Sequence, residues 1–126
     1  MRALKLVDSI TELKPHDAGC IAVSGSHGGI SSAQYALAAR PVLSIFNDAG
    51  VGKDKAGVAA LDFLQGHALA ACTVSHISAC IGQANSTLQS GVINHCNMLA
   101  HELGVVAGHT CQMVVDHLQK SWRKQS

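Results

Sequence analysis

The run Cys20-Ile21-Ala22-Val23-Ser24-Gly25-Ser26-His27-Gly28-Gly29 opens on four apolar residues and closes on three glycines set around a serine and a histidine. A short unbroken apolar run suits a strand covered on both faces, the signature of a parallel sheet. The glycines after it mark a sharp turn into the next element. The same design recurs along the chain. Ala3 to Val7 ends at Asp8-Ser9, Val42 to Phe46 ends in Asn47-Asp48-Ala49-Gly50-Val51-Gly52, and Leu69 to Val74 ends at Ser75-His76.

Helical patterns fill the intervals. Ser31 and Ser32 are suited to cap a helix that runs to about Ala39 and stops at Arg40-Pro41. Asp54 is placed to cap a helix through Gln65, with Val58, Leu61 and Leu64 in register and Gly66 at its end. A long helix is expected from about Ala84 to Leu103, striped by Leu88, Val92, Cys96 and Leu99. A last helix is expected from Thr110 to about Lys120, and Ile10 to Leu13 reads as a single turn. Strand and helix in alternation imply parallel pairing. The expected fold is one α/β domain over residues 1–126: a three-layer α/β/α sandwich, Rossmann-like or flavodoxin-like, with a small, mostly parallel sheet of about four strands.

Composition narrows the class. Hydrophobic residues make up 48% and aromatics 3%, so the core is built from Ala, Val, Leu and Ile. Charged residues are 13%, about half the usual ~25%. A surface so poor in charge is expected to be covered partly by another copy, as a homo-oligomer. The net charge of +1 argues against a nucleic-acid partner. The basic cluster Lys120, Arg123 and Lys124, beside Trp122, reads as a solvated helix end. The five cysteines, an odd number without a C-x-x-C pair, read as reduced thiols. Asp8 and Glu12 interrupt what a secretion signal would need, and no apolar run approaches the ~20 residues of a membrane span. The expected setting is cytoplasmic, with no membrane partner.

Parallel sheets bind ligands beyond the carboxyl ends of their strands, at the point where strand order reverses. Asp8, His27, Asp48 and His76 all fall there. Ser26, His27, Asp48 and His76 are therefore the candidate catalytic residues. Gly25, Gly28 and Gly29, with Gly50, Gly52 and Lys53, form two glycine-rich loops whose amides are candidate binders of a small, anionic ligand or a developing oxyanion. Asp8, His27, Asp48 and His76 together also offer a ligand set for a divalent metal such as Zn, Mn or Fe. Cys80 lies close to His76 in the chain, and a neighbouring imidazole favours thiolate.

Familiar motifs fail on particular residues. The phosphate loop that ends in Gly-Lys needs a glycine where Asn47 stands and a Ser or Thr where Asp54 stands. The dinucleotide fingerprint meets His27 or Lys55 in a glycine position. Ser24-Gly25-Ser26-His27-Gly28 matches the nucleophile elbow except at Ser24, and Asp48 and His76 follow in the Ser…Asp…His order of α/β-hydrolases. A strand ending in Ser26-His27-Gly28, then a strand with a glycine turn, also resembles the caspase-like peptidases. Those carry a nucleophilic cysteine where this chain has Asn47-Asp48-Ala49-Gly50, so the resemblance implies no activity here. The residues favour a hydrolase of a small amide, ester or cyclic amide, with His27 and His76 as acid and base. The alternatives are a metal-dependent enzyme on the same cluster, and a non-enzymatic anion-binding domain or subunit.

Overall fold

The computed structural model describes the backbone of residues 3–125 and the side chains of residues 3–120. The side chains of Trp122, Arg123 and Lys124 lie outside the described residues. The order of elements is β1 (Leu4–Val7), β2 (Ile21–His27), α1 (Ile30–Ala39), β3 (Leu43–Asn47), α2 (Ala59–Gly66), β4 (Ala70–Val74), α3 (Ala84–Ser90), β5 (Ile93–Cys96), α4 (Met98–Glu102) and α5 (Cys111–Gln125). Short 3-10 turns at Ile10–Glu12, Pro15–Asp17 and Lys53–Val58 complete it. The sheet runs β1-β2-β3-β4-β5, parallel from β1 to β4 and antiparallel at β5.

Two cores lie on the two faces, as side chains alternate along each strand. Ile21, Val23, Leu43, Ile45, Cys72 and Val74 face one cluster, with Val114, Val115 and Leu118 of α5. Ala22, Phe46 and Ala71 face the other, with Ala33, Ala36 and Ala39 of α1 and Ala60, Leu61 and Leu64 of α2. Alanine along the buried stripe of α1 lets that helix lie close on the sheet, which is how a chain with few aromatics fills its interior. Phe46, fully buried, is the largest side chain in this core.

The α/β sandwich stands as expected. Four readings are corrected. The expected helix from Ala84 to Leu103 is instead helix, strand and helix. Gly91 causes the break: a Cβ there would meet the Thr87 carbonyl at 2.4 Å and Val74 at 2.8 Å, so only glycine lets the chain turn down beside β4. The β-branched pair Val92-Ile93 then extends, with Ile93 paired to Val74. Next, Asp54 does not cap α2. Asp54 and Lys55 sit in the left-handed region at φ 55° and 59° inside the 3-10 turn, and α2 begins at Ala59. Ser31 and Ser32 likewise lie inside α1, whose N-cap is Gly29. Finally, the strand order never reverses. The connections from β1 to β4 put Ile10 and Leu13, then α1, then α2, all on one face, and the opposite face is covered by chain that follows β4. The expected crevice of a reversal is absent, and loops alone shape the site.

Candidate functional site

Asp48 is the residue immediately beyond β3, and its carboxylate is buried, with side-chain exposure of 5%. Its backbone N–H still donates to the Val74 carbonyl, so the sheet ladder fixes its position. Oδ1 accepts from the backbone N–H of Gly50 at 2.9 Å and of His76 at 3.0 Å, and pairs with His76 Nδ1 at 3.1 Å. Oδ2 accepts from Asn94 Nδ2 at 2.6 Å. Asn94 Oδ1 in turn accepts from Thr73 Oγ1 at 2.8 Å. The result is one chain of hydrogen bonds, Thr73–Asn94–Asp48–His76, running from the sheet interior to the rim.

Burial pushes the Asp48 carboxyl up, but the bonds from Gly50, Asn94 and His76 outweigh it and hold the group below the ordinary carboxylate value. Asp48 is therefore ionised at neutral pH and can only accept. The proton on the shared bond belongs to His76 Nδ1, which leaves Nε2 as the free lone pair of the neutral ring. The His76 side chain is half exposed, at 51%. Carboxylate behind and open nitrogen in front is the orientation that a general base requires. Gly50 sits at φ +76°, a region that favours glycine, and a Cβ there would lie 3.7 Å from the His76 ring.

His27 has the opposite tautomer. Its Nδ1 accepts from the Gly29 N–H at 3.1 Å, so its neutral ring carries the proton on Nε2. A side chain at position 29 would press within 2.7 Å of that ring. His76 thus offers a lone pair and exposed His27 offers an N–H. They line neighbouring hollows of about 550 and 480 Å³, and Ala49 lines both. The larger falls in the usual range of small-molecule sites, ~300–1,000 Å³. It is walled by Ile77, Ala79, Cys80, Ile81, Ser86 and Ser90 as well as His76.

The other candidates are placed elsewhere. Ser26 Oγ accepts from the Ile10 N–H at 2.9 Å and lines a third hollow with Ser9, Thr11 and Tyr35, which His27 also borders. It is not joined to the Asp48–His76 pair. Asp8 Oδ1 accepts from the Ala84 N–H at 2.9 Å and caps α3. Among the described residues no group of three or more His, Cys, Asp or Glu is arranged to hold a metal ion, so the quartet Asp8, His27, Asp48 and His76 is not gathered as one ligand set. The glycine amides are committed internally. Gly28 donates to the Asn47 carbonyl, Gly29 to His27, Gly50 to Asp48 and Gly52 to the Gly50 carbonyl. Gly25 is glycine for packing, because a Cβ there would collide with the Gly82–Gln83 backbone. Lys53 is exposed at the start of the 3-10 turn.

Two residues that build the candidate site escape a reading of the sequence. Asn94 was hidden inside an expected helix; the glycine at 91 before it and the asparagine at 97 after it are the punctuation that marks a strand there. Asn47 looks like turn chemistry, yet it is fully buried. Its Nδ2 donates to the Ala79 carbonyl at 3.1 Å and its Oδ1 accepts from the Ala49 N–H at 2.8 Å, so it ties the two loops of the site together. No family model, no curated protein and no solved structure matches the chain. No described helix is long and apolar enough to cross a membrane.

Proposed function

We propose that this chain is a small-molecule hydrolase in which His76 is the general base, Asp48 fixes and polarises it, and His27 is the hydrogen-bond donor to the developing oxyanion. The observation that carries the reading is the Asp48–His76 pair, completed from behind by Asn94. In this scheme His76 Nε2 takes a proton from the attacking nucleophile as it adds to the carbonyl. The oxyanion accepts the His27 Nε2 proton as a hydrogen bond, a task the committed glycine amides do not perform. His76 then returns its proton to the leaving amine or alcohol.

The residues that wall the larger hollow include no Lys, Arg, Asp or Glu, which favours a neutral, largely apolar amide, ester or cyclic amide over an anion. The metal-dependent alternative draws less support, since Asp8 is spent on α3. The anion-binding alternative is weakened by the same amides that are already donated. Hydrolysis of a panel of neutral esters, amides and cyclic amides tests the proposal. The expected losses for His76→Ala and Asp48→Asn are on the order of 10²–10⁴-fold, with the fold retained. Equal turnover by wild type and His76→Ala would discard it. A homo-oligomer in the cytoplasm remains part of the proposal. It is supported by the five free cysteines and by the outward Ile77 and Met98, which are 87% and 67% exposed.

A further inference from the structure

We propose that Cys80 is the nucleophile of this site, and that the substrates are esters or thioesters with a short, uncharged acyl group; the inference rests on the reading of His76 as base. The thiol and the imidazole line the same hollow. The Ala79 N–H donates to the Ser75 carbonyl at 3.2 Å, closing one helical turn directly after β4. Cys80 follows directly after this turn, so His76 near its start and Cys80 just past its end border the same hollow. The turn is held at its C-terminal end. Asn47 binds the Ala79 carbonyl, and the Cys80 N–H donates to Ser86 Oγ at 2.8 Å.

The other cysteines are set apart. Cys20, Cys72 and Cys111 are buried and Cys96 is half-buried, whereas Cys80 is exposed. Two of the hydroxyls nearby, Ser78 and Ser86, are less free. Ser78 Oγ donates to the Ser75 carbonyl at 2.7 Å and accepts from the Val92 N–H at 2.9 Å, and Ser86 Oγ is occupied by Cys80. In this proposal the bonded Asp48–His76 pair serves Cys80, which shares the hollow with His76, and Ile81 offers apolar surface to the acyl chain.

In the reaction the Cys80 thiol proton passes to His76 Nε2 as the Sγ–carbonyl carbon bond forms. The bond to the leaving alcohol or thiol breaks, and that group takes the proton from His76. A water then adds to the thioester, its proton passing through His76 to Cys80 Sγ. The carboxylic acid departs and the free thiol is restored.

The test uses p-nitrophenyl acetate with the whole chain. It follows p-nitrophenol release and maps the acetyl group by mass spectrometry of peptides from acid-quenched enzyme. Acetyl on Cys80 in wild type is expected, with turnover reduced on the order of 10²–10⁴-fold in both Cys80→Ala and His76→Ala. Iodoacetamide should alkylate Cys80 in the folded protein, more slowly in His76→Ala. Because Cys80 is exposed, Cys80→Ala is expected to melt like wild type, and Cys80→Ser serves as a second variant. Wild-type turnover in Cys80→Ala and Cys80→Ser, with loss in His76→Ala, would overturn the thiol nucleophile and leave activation of water standing. Wild-type turnover in all three would overturn both readings.

Discussion

Asp48 makes its contacts with both oxygens, so replacing it separates charge from shape. Asp48→Asn keeps the volume but supplies an amide hydrogen toward His76 or Asn94, where a donor already points. The sign of its pH dependence follows from the lowered carboxyl. A group whose pKa is depressed by folding contributes stability above its unfolded value, and that contribution is lost as pH falls through the folded value. The stability gap between wild type and Asp48→Asn is therefore expected to be full at neutral pH and to close under acid, below the ordinary carboxylate range. Urea melts at a series of pH values measure it; a gap that widens toward acid contradicts the ionised pair. Asn94→Ala should act through the same carboxylate. In a double-mutant cycle with Asp48→Asn the two losses in turnover are expected to be non-additive, with a coupling of about 0.5–3 kcal/mol. Simple additivity would mean that Asn94 does not position Asp48.

At the scale of elements, the structure leans on close backbone approaches and on one asparagine. A Cβ on Gly57 would overlap the Asp48 carbonyl, and one on Gly28 would meet the Gly57 carbonyl at 2.4 Å. Gly57→Ala must therefore displace the loop that bears Asp48. It is expected to cost about 1–3 kcal/mol and to reduce turnover more than any surface alanine. Asn97 stands between β5 and α4, buried and fully used. Its Nδ2 donates to the Leu61 and Leu69 carbonyls, and its Oδ1 accepts from the Ala71 and Ala100 amides. Asn97→Ala strands several of these groups out of water, so a loss of about 3 kcal/mol or more is expected in a thermal or chemical melt. The parallel strands were legible in the sequence because each is a short apolar run ended by glycine or a polar pair. The same runs located His27, Asp48 and His76 at strand ends. β5 was masked: Val92, Cys96 and Leu99 have the spacing of a helix stripe, which hides the punctuation at Gly91 and Asn97, and the lack of room at Gly91 decides for a strand. The separation of Ser26 from Asp48 was also out of reach, since a hydrogen bond from Ile10 sets it and local pattern does not.

For the molecule as a whole, thiol chemistry reports on packing. Burial pushes Cys20 to about 11 and Cys111 to about 12, and raises Cys72 well above the ordinary thiol. Native protein treated with a thiol reagent at pH 8 should thus label Cys80 first, and the buried cysteines only on unfolding. Early label on Cys72 or Cys111 would mean that the sheet opens readily. The sequential strand order has a different consequence. Asp48 is in place once β3 and β4 have paired, but its second oxygen waits for Asn94, on the final and reversed strand. A growing polypeptide that has made its parallel ladder is still without a finished relay. If the proposed relay is the working site, it is complete only once β5 is in place, so a chain that ends before Asn94 is expected to lack turnover.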